Sequence, residues 1–336
     1  MSFFAIYVAL YVKLPSDQTP LVFYSSHKRD DLKRVIIAAI KRAKCSIWIY
    51  TYGLNDPHIL SLLHHKASHG VTCHIIYDQK TAPHLNRLET DHFHFHPIRE
   101  RGLMHRKLVI IDSELLFLGS ANLTTSSLAM HANCLIGFFS PSLATHFIQY
   151  AQYDFKLNKR KAKNPICLTI KNQTCELYHL PSKQGLSRLL EMLDQAKREV
   201  IIALFTFTHP QIVSKLIDLH KKGVVVKIFL DQTSARGASA RAAEQLYQGG
   251  LDLKRNQGLG LLHYKWGMID RDILIVGSAN WTQAAFHYNR DLLLFLYPLH
   301  KKQKQTLARI MKIIERDCLH FEISNSQVKR SVDMLK

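Results

Sequence analysis

One stretch of this chain occurs twice. Residues 102–124 and 260–282 are identical at 12 of 23 positions with no gap. Upstream, residues 43–82 align with 196–235 at 13 of 40 positions, again without a gap. Pro57/Pro210, Gly70/Gly223 and Asp78-Gln79/Asp231-Gln232 anchor that second match, and five extra residues then separate the two matches in the second half. An internal duplication of this length means two copies of one structural plan, with the length change confined to a loop.

Each copy alternates apolar strand-like runs with helix-like periodicity. In the first half the pattern predicts a strand over Leu21–Tyr24, a helix over Asp30–Lys44, and a strand over Ser46–Tyr52. A helix over Pro57–Ser68 and a strand over Val71–Tyr77 follow. The helix over Asp30–Lys44 carries Leu32, Val35, Ile36, Ala39 and Ile40 on one face. The second half repeats the order with Cys175–His179, Gly185–Lys197, Val200–Phe207, Pro210–Lys222 and Val224–Leu230. The duplicated reactive stretch reads as a strand pair, Lys107–Ile111 with Leu115–Leu118 and Trp266–Ile269 with Ile273–Val276. Helical patterns over Pro141–Phe155 and His300–Cys318 close the halves. Alternation of this kind predicts an α/β fold in each half. The expected units are 1–158, a basic linker 159–174, 175–321 and a polar tail 322–336. The run Lys156–Lys163 is expected to be solvated, with phosphate contact the minority reading.

The 45 Lys and Arg against 26 Asp and Glu leave a formal charge of +19, which favours an anionic partner: nucleic acid or an acidic membrane surface. The six cysteines are scattered, and none forms a metal-ligand pair at two-residue spacing. The apolar run 3–12 is too short to span a bilayer and reads as a buried strand or an interfacial anchor. Cytoplasmic, secreted and membrane-associated locations all stay open.

The chemistry lies in residues that both copies keep. His105 and Lys107 share one face of a strand, as do His263 and Lys265. Asn122 and Asn280 offer amides as candidate phosphate-binding groups, and Ser120 and Ser278 offer hydroxyls that fix the loop or join them in binding phosphate. Asp112 and Asp270 complete the candidate catalytic set His105, His263, Lys107, Lys265, Asp112 and Asp270. If the copies face each other, one imidazole attacks phosphorus and the other protonates the leaving oxygen, while lysines and amides neutralise charge. No acidic cluster is spaced for a hard divalent cation, so the expectation is metal-free chemistry without a cofactor, and a bell-shaped pH profile belonging to the histidine pair. His92, His94 and His96 alternate with Phe93 and Phe95. Solvated imidazoles over buried phenyls is the favoured reading and a metal site the minor one. Trp266 and Trp281 are read equally as pocket lining or core.

The doubled pattern His-x-Lys-x4-Asp-x6-Gly-Ser-x-Asn resembles the phospholipase D superfamily, over about Leu21 to Tyr297. That resemblance implies an α-β-α-β-α sandwich with pseudo-twofold symmetry and a site at the interface of the halves. It implies a metal-independent phosphohistidine intermediate, with His105 as nucleophile and His263 as acid and then base. It makes Asp112 and Asp270 structural members of the motif. Members commonly carry Asn-x-Glu/Asp downstream, and that carboxylate orients the motif histidine. Asn289-Arg290-Asp291 fits, which assigns Asp291 to His263. The first half reads Asn133-Cys134-Leu135, with no acid, so His105 lacks the expected orienter or takes it from elsewhere. The family serves phospholipid hydrolysis or transfer and also nucleases. A phospholipid substrate is narrowly favoured, a nucleic-acid phosphodiester is the alternative, and a non-catalytic polyanion-binding protein is the remote one. Two motifs in one chain make a monomer sufficient for a complete site.

Overall fold

The computed structural model describes residues 12–155 and 164–322. The first half contains β1 (Leu21–Ser25), α1 (Leu32–Arg42), β2 (Ser46–Thr51), α2 (Pro57–Ser68), β3 (Thr72–Asp78) and β4 (Phe93–Ile98). It continues with β5 (Leu108–Ile111), β6 (Leu115–Gly119), α3 (Thr125–Ala129), β7 (Cys134–Phe139) and α4 (Pro141–Phe155). The second half contains β8 (Ile166–Ile170), β9 (Gln173–Leu180), α5 (Lys183–Asp194), β10 (Glu199–Leu204), α6 (Pro210–Lys221) and β11 (Val225–Leu230). Then come α7 (Gln232–Arg236), α8 (Ala240–Gln248), β12 (Asp252–Asn256), β13 (Lys265–Ile269) and β14 (Ile273–Gly277). It ends with α9 (Gln283–His287), β15 (Asp291–Tyr297), α10 (Lys301–Arg316) and β16 (Cys318–His320).

Local chemistry accounts for the element boundaries. Asp31 caps α1 by accepting from the Arg34 amide, and Asp56 caps α2 with Pro57 in the first turn. The helices α2 and α6 end near Gly70 and Gly223, both at positive φ, where a side chain would be strained. The first sheet runs β1-β7-β6-β5-β2-β3-β4 and the second β16-β12-β11-β10-β13-β14-β15-β9-β8. In both, the strand after the first long helix pairs parallel with the next strand and antiparallel with the first motif strand. The plan is therefore duplicated in register as well as in sequence.

Strand alternation sorts side chains between layers. Trp48 and Tyr50 of β2 face a central core, whereas Ile47 and Ile49 face the outer helices. The central core holds residues of both sheets with Leu143, Ala144 and Phe147 of α4 and Leu307, Ile310 and Ile314 of α10. Two outer cores lie beneath α1 with α2, and beneath α5, α6 and α8. The order is helix, sheet, helix, sheet, helix, as the resemblance implied. Each Leu, Ile or Phe buried in these layers contributes roughly 1.5–3 kcal/mol.

Two expectations change. Ile166–Ile170, assigned to a linker, is β8 and pairs antiparallel with β9. The extra residues of the second half, expected in a loop, fall in a stretch that forms α7 and α8, whereas the first half has only a 3-10 turn at Leu85–Leu88. Ala235, Ala243 and Leu246 are buried there and pull the segment into the outer core. The readings of residues 3–11, of Lys156–Lys163 and of the tail from 323 onward fall outside the described residues. Among the described residues no helix is long and apolar enough to cross a membrane.

Candidate active site

Each motif histidine sits just before a buried central strand, at the end that faces the other half. The segment leading into His105 pairs with the segment leading into β15. Met104 bridges Arg290, the His105 amide donates to the Arg290 carbonyl (3.0 Å), and the Arg290 amide donates to the Leu103 carbonyl (2.8 Å). The second copy does the same. Leu262 bridges Ala132, the His263 amide donates to the Ala132 carbonyl (2.9 Å), and the Ala132 amide donates to the Leu261 carbonyl (2.8 Å). Glycine makes this approach possible. A Cβ on Gly102 would lie 1.8 Å from the Tyr288 carbonyl oxygen, and one on Gly260 would lie 1.9 Å from that of Met130.

This crossed backbone pairing decides which side chain meets which histidine. The residue after Arg290 is Asp291, and the residue after Ala132 is Asn133. His105 Nδ1 lies 2.8 Å from Asp291 Oδ1, and His263 Nδ1 lies 3.0 Å from Asn133 Oδ1. The assignment of Asp291 to His263 is therefore corrected: Asp291 holds His105 of the other half. The counterpart of Asp291 is Asn133, not Leu135, because the offset of 158 residues that relates the motifs continues through this point. His105 has its acid, and His263 has a neutral amide.

The orientation of that amide follows from its partners. Asn133 Nδ2 donates to the Ser127 carbonyl at 2.8 Å, so Oδ1 is the atom that faces His263. Ser120 Oγ donates to the same Oδ1 at 2.8 Å and accepts from the Cys134 amide at 3.0 Å. Ser278 Oγ donates to Asp291 Oδ1 at 2.6 Å and accepts from the Leu292 amide at 2.9 Å. Of the two roles the sequence allows these serines, fixing the loop and binding phosphate, the hydrogen bonds match the first. Both serines are fully buried, and their hydroxyls fix the two groups that hold the histidines. With acceptors on Nδ1, both imidazoles carry that proton and present Nε2 to the site.

Asp112 and Asp270, placed in the candidate catalytic set, lie at the far ends of β5 and β13. Asp112 accepts from the amides of Lys44, Cys45 and Ser46 at 2.8, 2.8 and 2.9 Å. Asp270 accepts from those of Lys197, Arg198 and Glu199 at the same three distances. Both occupy left-handed backbone, with φ of 51° and 50°. Each pins the start of β2 or β10 to the motif strand, and these bonds hold the carboxyl of Asp270 below its ordinary range against the opposing effect of burial.

Lys107 Nζ donates to the His105 carbonyl at 2.7 Å, and Lys265 Nζ to the His263 carbonyl at 2.8 Å. Tyr52 and Phe205, matching residues at the ends of β2 and β10, lie against these pairs. Their ring centroids are 5.4 and 4.9 Å from His105 and His263. Asn122 and Asn280 stand at the turns after β6 and β14. Among the described residues, the buried Oδ1 of each has no hydrogen-bond partner.

Burial of four potential cations around one carboxylate sets the electrostatics. Burial pushes the Lys107 ammonium down to about 7, with Asp291 opposing, and pushes Lys265 well below its ordinary value. Burial and Lys107 lower His105, while Asp291 supports its charged form. His263 is driven well below the usual imidazole value by burial and then by Lys265, Lys107 and His105, with no carboxylate to compensate. Asp291 keeps its carboxyl low against burial through His105, Lys107 and Ser278. An anion entering this site reverses the balance and favours protonation of the whole set.

Three residues had no assigned role in the sequence. Asn133 is one. The other two are Asp78 and Asp231, whose Oδ2 atoms accept from the amides of Met104 and Leu262 at 2.9 Å each. They hold the segments that precede the histidines, and their signal was the repeated Asp-Gln pair. Trp266 and Trp281 are buried in the central and second outer cores and do not line the site. Phe93 and Phe95 are buried and His94 and His96 partly exposed, with His74 3.1 Å from His96. Among the described residues no group of three or more His, Cys, Asp or Glu is placed to hold a metal ion.

Residues 36–155 and 189–317 match the family model described as "Cardiolipin synthase, PLD-like domain". A mitochondrial cardiolipin hydrolase of Mus musculus is 34% identical over 122 residues, 36% of this chain and 54% of that protein. Cardiolipin synthase 1 of Staphylococcus aureus is 22% identical over 313 residues, covering 80% of this chain and 62% of that one. The chain thus spans between half and two thirds of the length of these relatives. In fold it is similar to phosphatidylserine synthase of Haemophilus influenzae, with a TM-score of 0.70 at 14% identity over 92% of this chain and 89% of that one.

Proposed function

Because the chain belongs to the phospholipase D superfamily, we propose that it is a phosphodiesterase that cleaves or transfers the headgroup ester of phospholipids through a phosphohistidine. The observation that carries the reading is the unequal pair of histidine partners around one buried set of lysines, Asp291 on His105 and Asn133 on His263. A carboxylate on Nδ1 fixes the tautomer that exposes the Nε2 lone pair and stabilises the cationic ring formed on attack. That suits His105 as nucleophile. Its Nε2 attacks phosphorus, and the bond from phosphorus to the leaving alcohol breaks. The departing oxygen takes the Nε2 proton of His263. Water, or a second alcohol, then gives a proton back to His263 while its oxygen attacks phosphorus, and the P–N bond to His105 breaks. Lys107 and Lys265 neutralise the non-bridging oxygens, and the amides of Asn122 and Asn280 donate to them.

Burial lowers the His263 imidazole in the free protein, so it becomes an effective acid once the substrate phosphate lies beside it. The relatives' names support a phospholipid: the Mus musculus protein is a cardiolipin hydrolase and the Staphylococcus aureus protein a cardiolipin synthase. The charge of +19 suits an acidic lipid surface and equally the second reading, a nuclease of the same superfamily.

A single panel separates them. Wild type, His105→Ala and His263→Ala are offered phospholipid vesicles and single- and double-stranded nucleic acid, with and without EDTA. Lipid cleavage insensitive to EDTA and lost in both variants is the expected result. Cleavage of nucleic acid alone selects the nuclease, and loss of activity in EDTA defeats the metal-free mechanism.

A further inference from the structure

One feature beside the site lies in the first half. A trough of about 650 Å³ opens from Tyr52 and Asn122 and runs between the start of α2 and the segment that follows β3. Leu54, Leu60, Leu85 and Leu88 contribute its apolar lining. Its size falls within the range of small-molecule sites. Leu88 stands at the lip and is 44% exposed. In the second half the larger Phe207 matches Leu54, and α7 and α8 pack Ala235, Ala243 and Leu246 into the outer core.

We propose that this trough binds one acyl chain of a phospholipid substrate and so fixes which arm of the phosphodiester stays on the enzyme. The inference rests on the phospholipid reading above. Three observations converge on it. The trough is continuous with the site through Asn122, the candidate phosphate donor, and Tyr52, whose ring packs on His105. Its lining is mainly apolar, so it suits a hydrocarbon arm better than a nucleotide or a polar headgroup. It lies on the side of His105, the proposed nucleophile. An in-line displacement expels the alcohol toward His263, so the arm retained on His105 is the diacylglycerol arm. Burying that arm in the trough leaves the polar alcohol free to depart.

The test uses the full chain and monomeric substrates, so that binding to a lipid surface does not contribute. Dibutanoyl, dihexanoyl and dioctanoyl phosphatidylglycerol are supplied below their micelle-forming concentrations. In the wild type kcat/KM should rise by about fourfold for each methylene that enters the trough, until it is filled. Leu88→Asp, at an exposed lip position, and Leu60→Gln should flatten that rise. Leu259→Asp, at a fully exposed leucine outside the trough, should keep it. Cleavage of all three lipids with no dependence on chain length overturns the trough and leaves the phospholipid reading standing. A rise undiminished in both trough variants also overturns it. Failure to cleave any of the lipids, with nucleic acid cleaved instead, overturns the phospholipid reading and the trough with it.

Discussion

The two halves differ least in their scaffold and most in what they hand to each other. Each contributes a histidine, a lysine, a serine and an asparagine at matching places. Each also passes one residue across the interface to hold the other's histidine. The first half passes Asn133 and the second passes Asp291. A serine hydroxyl that also accepts the following backbone amide holds each of these two groups, and Asn133 is further anchored through Nδ2 to the Ser127 carbonyl, whereas Asp291 Oδ2 has no hydrogen-bond partner among the described residues. The chief difference is one of charge, in a site where burial makes charge expensive. A near-symmetric scaffold can thus assign unlike protonation chemistry to two identical side chains by changing one buried partner.

The most severe test removes the histidines. His105→Ala is expected to abolish turnover, by 10⁴-fold or more. His263→Ala should lose roughly 10²–10⁴-fold on an unactivated ester, and should recover much of that on a p-nitrophenyl ester, whose leaving group needs no proton. A radiolabelled phosphoenzyme trapped in His263→Ala and never in His105→Ala would establish the division of labour, and the reverse pattern would exchange the roles.

The partners come next. Asp291→Asn should cost on the order of 10³-fold in kcat, since the imidazole loses its tautomer and the support for its charge. If Asn133→Ala costs as much, charge is not the distinction between the two sides. Asn133→Asp supplies His263 with a carboxylate, which raises an imidazole's pKa. The alkaline limb of the pH–rate profile, where the acid loses its proton, should therefore move up by about one unit or more. An unmoved limb would mean that another group sets it.

A smaller effect concerns the buried lysines. Lys107 is pushed down to about 7, so below that pH it is charged and above it increasingly neutral. Inorganic phosphate or tungstate, measured by calorimetry, should bind with proton uptake, and affinity should fall as pH rises through 7, by up to tenfold per unit for one proton. Lys107→Met should remove that slope. The smallest effects belong to the scaffold. Gly102→Ala and Gly260→Ala each drive a methyl into a carbonyl of the other half, and each should lower stability by roughly 1–3 kcal/mol in denaturant unfolding. Markedly unequal losses would show that the two crossings are not equivalent.

Much of this was legible in the residues. The repeat announced two α/β halves, and the histidines and lysines of the motifs converge as the duplication required. The periodicity of Leu32 to Ile40 foretold the buried face of α1. What was not legible depended on pairing across the interface. Asp291 seemed to belong to the histidine of its own half because sequence proximity carries no information about a backbone bridge between Met104 and Arg290. Ser120 and Ser278 kept both roles open, loop fixing and phosphate binding, because a hydroxyl next to a motif asparagine reads the same whether it faces inward or outward. The helices α7 and α8 were obscured because a length difference between repeats looks like a loop until its alanines and leucine are seen to be buried.

The crossing of partners has a consequence for how such a chain can arise. Two copies of the second half, assembled around the same axis, would place an aspartate on both histidines. Two copies of the first would place an asparagine on both. In either homodimer a change in one partner is a change in both, and the histidines stay chemically alike. Joining the copies in one chain lets the two partners vary independently. The covalent link between halves is therefore what allows a symmetric architecture to inherit an asymmetric site.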